Sequence, residues 1–291
     1  MDRVKDRYSD YIGLDARRAL ARYRRRRAAV TAVYAAVAFA AGVAAALRWN
    51  LAAEVAVIAA LGLFYWLGLS AVNIGLQNIW AMDCDPYKCR QVLDLLAMQG
   101  RRKAMRGFCA LLYARCCAAM QDFPAMHTAL NALDARKKRH AYAVELVRLN
   151  LLANEAFAME NAAGLRQLLD ASGRLTVLYR PTKERSRQAA EIQALIEAYL
   201  ALLSGNAAEA RSLLTHQIRT ARFPVQALGA RLLLGRLDLQ QGERNNAYGR
   251  LYFAAARGGT TWAAAEARRL LAAHFAPECP QTESEPPAPR A

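Results

Sequence analysis

The sequence is poor in the residues that build catalytic centres. Only four histidines (127, 140, 216 and 274) occur in 291 residues, and none sits in an H-E-x-x-H unit. There is no G-x-S-x-G elbow, no Walker loop and no strand-borne G-x-G-x-x-G, which removes the usual signatures of hydrolases, nucleotide-binding enzymes and dinucleotide enzymes. The six cysteines (84, 89, 109, 116, 117 and 279) do not make the framework of a small secreted domain. They read as buried small hydrophobes in a reducing compartment. The run Asp83-Cys84-Asp85-Pro86-Tyr87-Lys88-Cys89 matches no common zinc spacing. No enzymatic activity, cofactor or metal is expected.

Charge is missing from two long stretches. Ala28–Leu47 and Val55–Met82 contain no Asp, Glu, Lys or Arg. A bilayer core of about 30 Å needs roughly 20 apolar residues in a helix, and spans at 28–47 and 55–76 meet that length with no polar face. Residues 28–80 are therefore expected to form a two-helix transmembrane hairpin with a tight turn at Arg48–Glu54. Trp49 and Trp80 suit its interfaces. Ala38, Gly42 and Ala46 recur every fourth residue, a stripe that permits close helix approach. Asn73, Gln77 and Asn78 fall toward the inner end of the second span, at headgroup level.

Acidic residues are the scarcer sign: 24 against 40 basic, a net charge of +16. Residues 1–27 hold ten basic and four acidic residues. Arg24, Arg25, Arg26 and Arg27 stand directly before the first span, whereas the hairpin turn has only Arg48. The positive-inside rule then places both termini of a multi-pass cell-membrane protein in the cytoplasm. The same charge would suit anionic membrane lipid, and Arg136–His140 with Arg101–Lys103 could add to that contact. Nucleic acid is disfavoured as a partner, because no aromatic residues interleave with the basic ones.

Prolines and β-branched runs are sparse after Trp80, and apolar residues recur at helical spacing. Residues 81–103 read as a linker helix beginning at Pro86. Beyond it, four segments repeat an apolar helix, a short polar turn and a second amphipathic helix. In LLLGRLDLQQGERNNAYGRLYFAAARG the sequence Leu234-Gly235 precedes Gly242, Ala247, Leu251 and Ala254; Ala198, Gly205, Ala210 and Leu214 stand in equivalent places one unit earlier. Two further copies turn at Gln121 and Glu160. This pattern resembles the tetratricopeptide repeat (TPR), whose unit is about 34 residues. The resemblance implies an all-α chain in which an α-solenoid of about four TPR-like hairpins occupies residues 104–276. Thr261–Phe275 caps it, Gly258-Gly259-Thr260-Thr261 starts that last helix, and a Pro- and Glu-rich tail at 277–291 is expected to be disordered.

Such solenoids hold a peptide or partner helix in the groove formed by the first helix of each repeat. On this register Arg115, Asn154, Tyr199 and Arg236 share one groove position, with Asn150 a turn before Asn154, suited to an acidic peptide or a C-terminal carboxylate. The expectation is a membrane-anchored scaffold that binds a protein or peptide partner at the cytoplasmic face. Its high Arg and Ala content suits a bacterial genome rich in G and C. Alternatives are a non-catalytic subunit of a larger membrane complex and a membrane-associated nucleic-acid-binding protein.

Overall fold

The computed structural model describes the backbone at residues 8–48, 51–98, 103–133, 138–179 and 181–275, and side chains at 8–43, 55–98, 107–133, 142–179 and 181–275. Among the described residues there are twelve helices and no strand. Helix α1 (Ala16–Arg48) and helix α2 (Leu51–Ala81) form an antiparallel hairpin. Both are long and apolar enough to cross a membrane, and almost none of their apolar stretch is buried against protein. Val33, Val37 and Phe39 on α1 and Ile58, Leu63, Phe64 and Trp66 on α2 all face outward. A core helix of a water-soluble globule would bury such residues.

The close approach of the pair lies where the sequence did not put it. A Cβ on Gly68 would come within 2.8 Å of Val30, and the rings of Tyr34 and Tyr65 lie 4.5 Å apart. Gly42 faces open space, so the Ala38–Gly42 stripe is not the contact. With 33 residues rising 1.5 Å each, α1 is about 50 Å long, well beyond the bilayer core. The surplus is its basic end. Residues read as a separate N-terminal segment are helical from Ala16, and Ala19, Leu20 and Tyr23 are buried against Val72, Leu76 and Ile79 of α2.

The remaining helices are α3 (Pro86–Ala97), α4 (Lys103–Ala119), α5 (Phe123–Asn131), α6 (Lys138–Ala158), α7 (Ala162–Tyr179), α8 (Lys183–Leu203), α9 (Ala207–Thr220), α10 (Pro224–Gln240), α11 (Arg244–Arg257) and α12 (Trp262–Phe275). One turn chemistry joins them in pairs. A left-handed residue ends the first helix at Cys84, Gln121, Glu160, Gly205 and Gly242. In the last four turns the next amide donates to the carbonyl five residues back. Asp122 reaches Cys117 at 2.9 Å, and Asn161, Asn206 and Glu243 reach Ala156, Ala201 and Asp238 at 2.8 Å. This is the Schellman arrangement, which satisfies carbonyls that a helix end leaves without partners. The same residue then caps the following helix: Asp122, Asn161 and Asn206 accept from the amides of Ala125, Gly164 and Glu209. Asp85 does so for α3, accepting from Lys88 at 3.0 Å.

Within a pair, small residues set the spacing. A Cβ on Gly235 would meet Leu251 at 2.9 Å, so α10 and α11 pack at a distance only glycine allows. Alternate helices then stack, α4 on α6, α6 on α8 and α10 on α12. The cores are built largely of Leu and Ala, among them Leu165, Ile196, Ala210, Leu214 and Leu234. Each fully buried Leu of this kind contributes about 1.5–3 kcal/mol.

The row of helices does not end free. Helix α10 touches α2, and Cys84 lies in one apolar cluster with Leu228, Leu232, Leu251 and Ala267. The chain thus returns to the root of its apolar hairpin.

Candidate functional site

The five groove positions fall on four helices, and the structure brings three of them together. The hydroxyl of Tyr199 on α8 donates to Asn154 on α6 at 2.7 Å, while the amide group of Asn154 donates to the backbone carbonyl of Asn150, also at 2.7 Å. Tyr199 is buried and stacks on Phe157 with ring centroids 4.1 Å apart. Burial without a nearby cation pushes its phenol pKa up. Asn150 and Asn154 are half-buried beside it.

Arg115 and Arg236 sit apart from that group, each over an indole. Arg115 on α4 stands 5.4 Å from the ring of Trp80, and burial lowers its pKa. Arg236 on α10 stands 5.8 Å from the ring of Trp262 and pairs with Glu266 on α12. Hydrogen bonds from Arg269 and then from Arg236 hold the Glu266 carboxyl down at about 2. A guanidinium over an indole face is attracted by the ring quadrupole and is positioned by it.

Trp80 is therefore half-buried under Arg115, which joins two residues that the sequence assigned to different sites. Trp49 lies outside the described residues, as do the side chains of Arg101–Lys103 and Arg136–His140 and the tail. Among the interface arginines, Arg26 pairs with Asp10 at 2.7 Å and stands over the Tyr11 ring. Arg25 is exposed, and Arg24 and Arg27 are half-buried. Asn73 accepts from the hydroxyl of Tyr23 at 3.0 Å, so this polar residue of α2 serves the α1–α2 contact.

The sequence missed the junction that closes the fold. Ser9 donates to the buried carboxylate of Asp83 through its amide at 2.7 Å and through its hydroxyl. On the other side, the amide of Thr260 donates to the Cys84 carbonyl at 3.2 Å, and its hydroxyl donates to Asp85 at 2.8 Å. The amide of Tyr87 in turn donates to the Thr260 hydroxyl at 3.2 Å. Gly259 is left-handed and lies so close that an added Cβ would sit 3.1 Å from the Asp83 carbonyl oxygen. Arg257 covers the Tyr8 ring at 4.1 Å. Cys84 is fully buried here, and desolvation pushes its thiol up to about 12, which leaves it unreactive. The carboxylates of the Asp83–Asp85 turn are thus committed to Ser9, to the α3 cap and to Thr260. Among the described residues no group of three or more His, Cys, Asp or Glu could hold a metal ion.

Concavities are shallow. One of about 430 Å³ lies between Asp15, Arg17, Gln91 and Asp94, and one of about 330 Å³ lies between Arg166, Glu197, Ser204 and Glu209. No groove residue lines either. No protein-family model, curated protein or solved structure matches the chain. The class defined by the fold is an all-helical protein with two helices long and apolar enough to cross a membrane.

Proposed function

We propose that this chain is a membrane-anchored scaffold. On this reading its paired helices form a TPR-like array that holds a protein or peptide partner at the cytoplasmic face. The observation that carries it is the fourfold recurrence of one helix–turn–helix closure, at Gln121, Glu160, Gly205 and Gly242. Stacked hairpins of this kind bury a continuous core and leave an extended surface for binding. The close packing at Gly235 supports the same reading, because small residues at that position belong to the repeat pattern. The outward-facing Val, Ile, Leu and Phe residues of α1 and α2 give lipid a surface that water would not tolerate. The arginines at 24–27 favour an inside location for the N-terminus, and an even number of crossings returns the chain to the same side.

In this scaffold Asn150 and Asn154 offer hydrogen bonds to a peptide backbone, with Tyr199 fixing Asn154 from behind. Arg115 and Arg236 supply cations to an acidic partner from either end of the row. A photo-crosslinking residue placed at Asn150 or Arg236, in native membranes, should give one shared protein adduct. The same residue at Ser212, exposed on α9, should not. Adducts absent at Asn150 and Arg236, or equal at Ser212, would sink the groove. Topology has its own readout. An impermeant maleimide should label Asn50→Cys in intact cells and reach Asn245→Cys only after lysis; the reverse pattern overturns the orientation. Cys84 cannot report, because it is buried.

A further inference from the structure

Val177 and Leu178, in the last turn of α7, are 77% and 74% exposed, and Tyr179 beside them is exposed as well. Packing does not call for them, because α7 docks through Leu165, Leu168, Leu169 and Leu175. It is also the longest of the helices that follow the left-handed turns, with 18 residues against 12, 9, 14 and 14 in α3, α5, α9 and α11. The charge left uncommitted around its end is basic. Arg174, Lys183 and Arg219 are exposed and meet no carboxylate among the described residues. The neighbouring Glu184 is already taken by Arg187 at 3.0 Å and by Arg222 at 2.8 Å.

Contacts along the array fix the side that this end faces. Arg90 meets Asp122, His127 meets Glu155, Asn154 meets Tyr199 and Arg211 meets Asp238, so the left-handed turns lie along one edge, where α2 ends. The opposite edge gathers the connections between pairs. There Tyr142 of α6 meets the Tyr179 ring at 5.6 Å, its hydroxyl donates to the Arg185 carbonyl of α8 at 3.4 Å, and Glu184 reaches Arg222. This is the side from which α2 arrives, that of the apolar hairpin. Val177 stands 17 residues past the turn at Glu160, about 25 Å along α7; Gly68 stands 16 residues before the turn at Cys84, about 24 Å along α2. Gly68 packs on Val30, just past Arg27, where the uncharged stretch of α1 begins. The end of α7 thus reaches the level at which the hairpin becomes apolar.

We propose that the end of α7 is a second membrane contact, on the surface of the same bilayer that the hairpin crosses; the inference rests on that reading of α1 and α2. Val177, Leu178 and Tyr179 enter the boundary between headgroups and acyl chains, as the apolar side of an interfacial helix does. Arg174, Lys183 and Arg219 reach the phosphates of anionic lipid. The middle of the helical array is then held at the surface independently of the hairpin.

Photo-crosslinking to lipid tests this on the full chain, reconstituted into vesicles of mixed phosphatidylglycerol and phosphatidylcholine. A phospholipid with a diazirine high on one acyl chain is activated, and its adducts are located by mass spectrometry. Adducts should form at Phe39 and Trp66 of the hairpin and at Val177–Tyr179, but not at Tyr248 and Tyr252, which are exposed on α11. Val177→Ser with Leu178→Ser removes two exposed side chains and leaves the core intact. It should cut the Tyr179 adducts about fivefold or more, since each aliphatic side chain taken from water is worth more than that, while Phe39 stays labelled as before. Vesicles of phosphatidylcholine alone should lower the Tyr179 signal about fivefold, the worth of one basic group at an anionic surface. Adducts on the hairpin with none at 177–179, or a Tyr179 signal that the two serines leave unchanged, overturn the inference. An equal signal in phosphatidylcholine alone overturns the phosphate contacts. A chain with no adducts at Phe39 and Trp66 overturns the anchor first, and the inference with it.

Discussion

Asp238 should be among the most costly single residues to remove from the helices that follow the apolar hairpin. It lies on α10, fully buried, between Arg211 of α9 at 2.7 Å and Arg250 of α11 at 2.6 Å. Its backbone carbonyl also receives the Schellman bond from Glu243. One side chain therefore ties three helices together through charge. Removing one member of a buried ion pair costs about 3–5 kcal/mol, because the partner charge is stranded. Here the stranded groups are two guanidiniums, each with 27% of its side chain exposed. They can turn partly to water, which places Asp238→Ala at the lower end, about 3 kcal/mol. At about 2–4 °C per kcal/mol for a domain of this size, melting should fall by about 6–12 °C. Asp238→Asn keeps the volume but loses the charge, and it points an amide NH2 at one guanidinium, so it should not rescue. Helical ellipticity of the detergent-solubilised chain during heating measures the effect. On an Arg211→Ala background the same substitution should cost less, with a coupling of about 1–3 kcal/mol. A melting point unchanged to within about 1 °C, or strict additivity with Arg211→Ala, would refute the argument that this carboxylate is a shared buried counter-ion.

The junction and α12 give two further expected outcomes. Gly259→Ala should spring the contact with the Asp83–Cys84 carbonyls, so that Cys84, silent toward maleimide in the parent protein, becomes labelled in the folded variant; a Cys84 that stays silent shows the junction has accommodated the methyl. Glu266, whose carboxyl is held at about 2 against an ordinary 4.5, adds stability that is fully present above pH 4.5 and is lost as pH falls toward 2. Glu266→Gln should therefore flatten the acid limb of the melting curve over that window, and parallel limbs in parent and variant would show the Arg236 and Arg269 contacts to be idle.

The local grammar of this fold was readable because it is written in residues with few alternative uses. The left-handed turns at Gly205 and Gly242 announce themselves, since only glycine adopts that backbone cheaply. Gln121 and Glu160 occupy the same conformation without that signature, yet each precedes an Asp or Asn that caps the next helix, and those caps locate them. Pro86 at the first turn of α3 behaves likewise. Groove positions were less legible. Helical spacing places Tyr199 and Arg236 on equivalent faces but does not say what packs there, and in the fold one is buried against Phe157 while the other is paired with Glu266.

Closure was invisible for a different reason. The Thr260–Asp85 bond spans 175 residues, and the Ser9–Asp83 bonds span 74; no periodicity within a helix reports contacts at such separations. Yet closure decides how the apolar hairpin serves the rest of the molecule. The N-terminal part of α1 and the C-terminal part of α2 share one core with α3 and α4, through Leu20, Tyr23, Leu76, Val92 and Leu112. The last helices are pinned to the same root by Thr260. A flexible tether would let the helical array tumble relative to the apolar hairpin. An anchor built into the first core, and gripped again by the last turn, fixes the array's orientation. On the proposed reading, whatever partner binds is then presented to the membrane at one angle, which is a property neither the hairpin nor the helical array has alone.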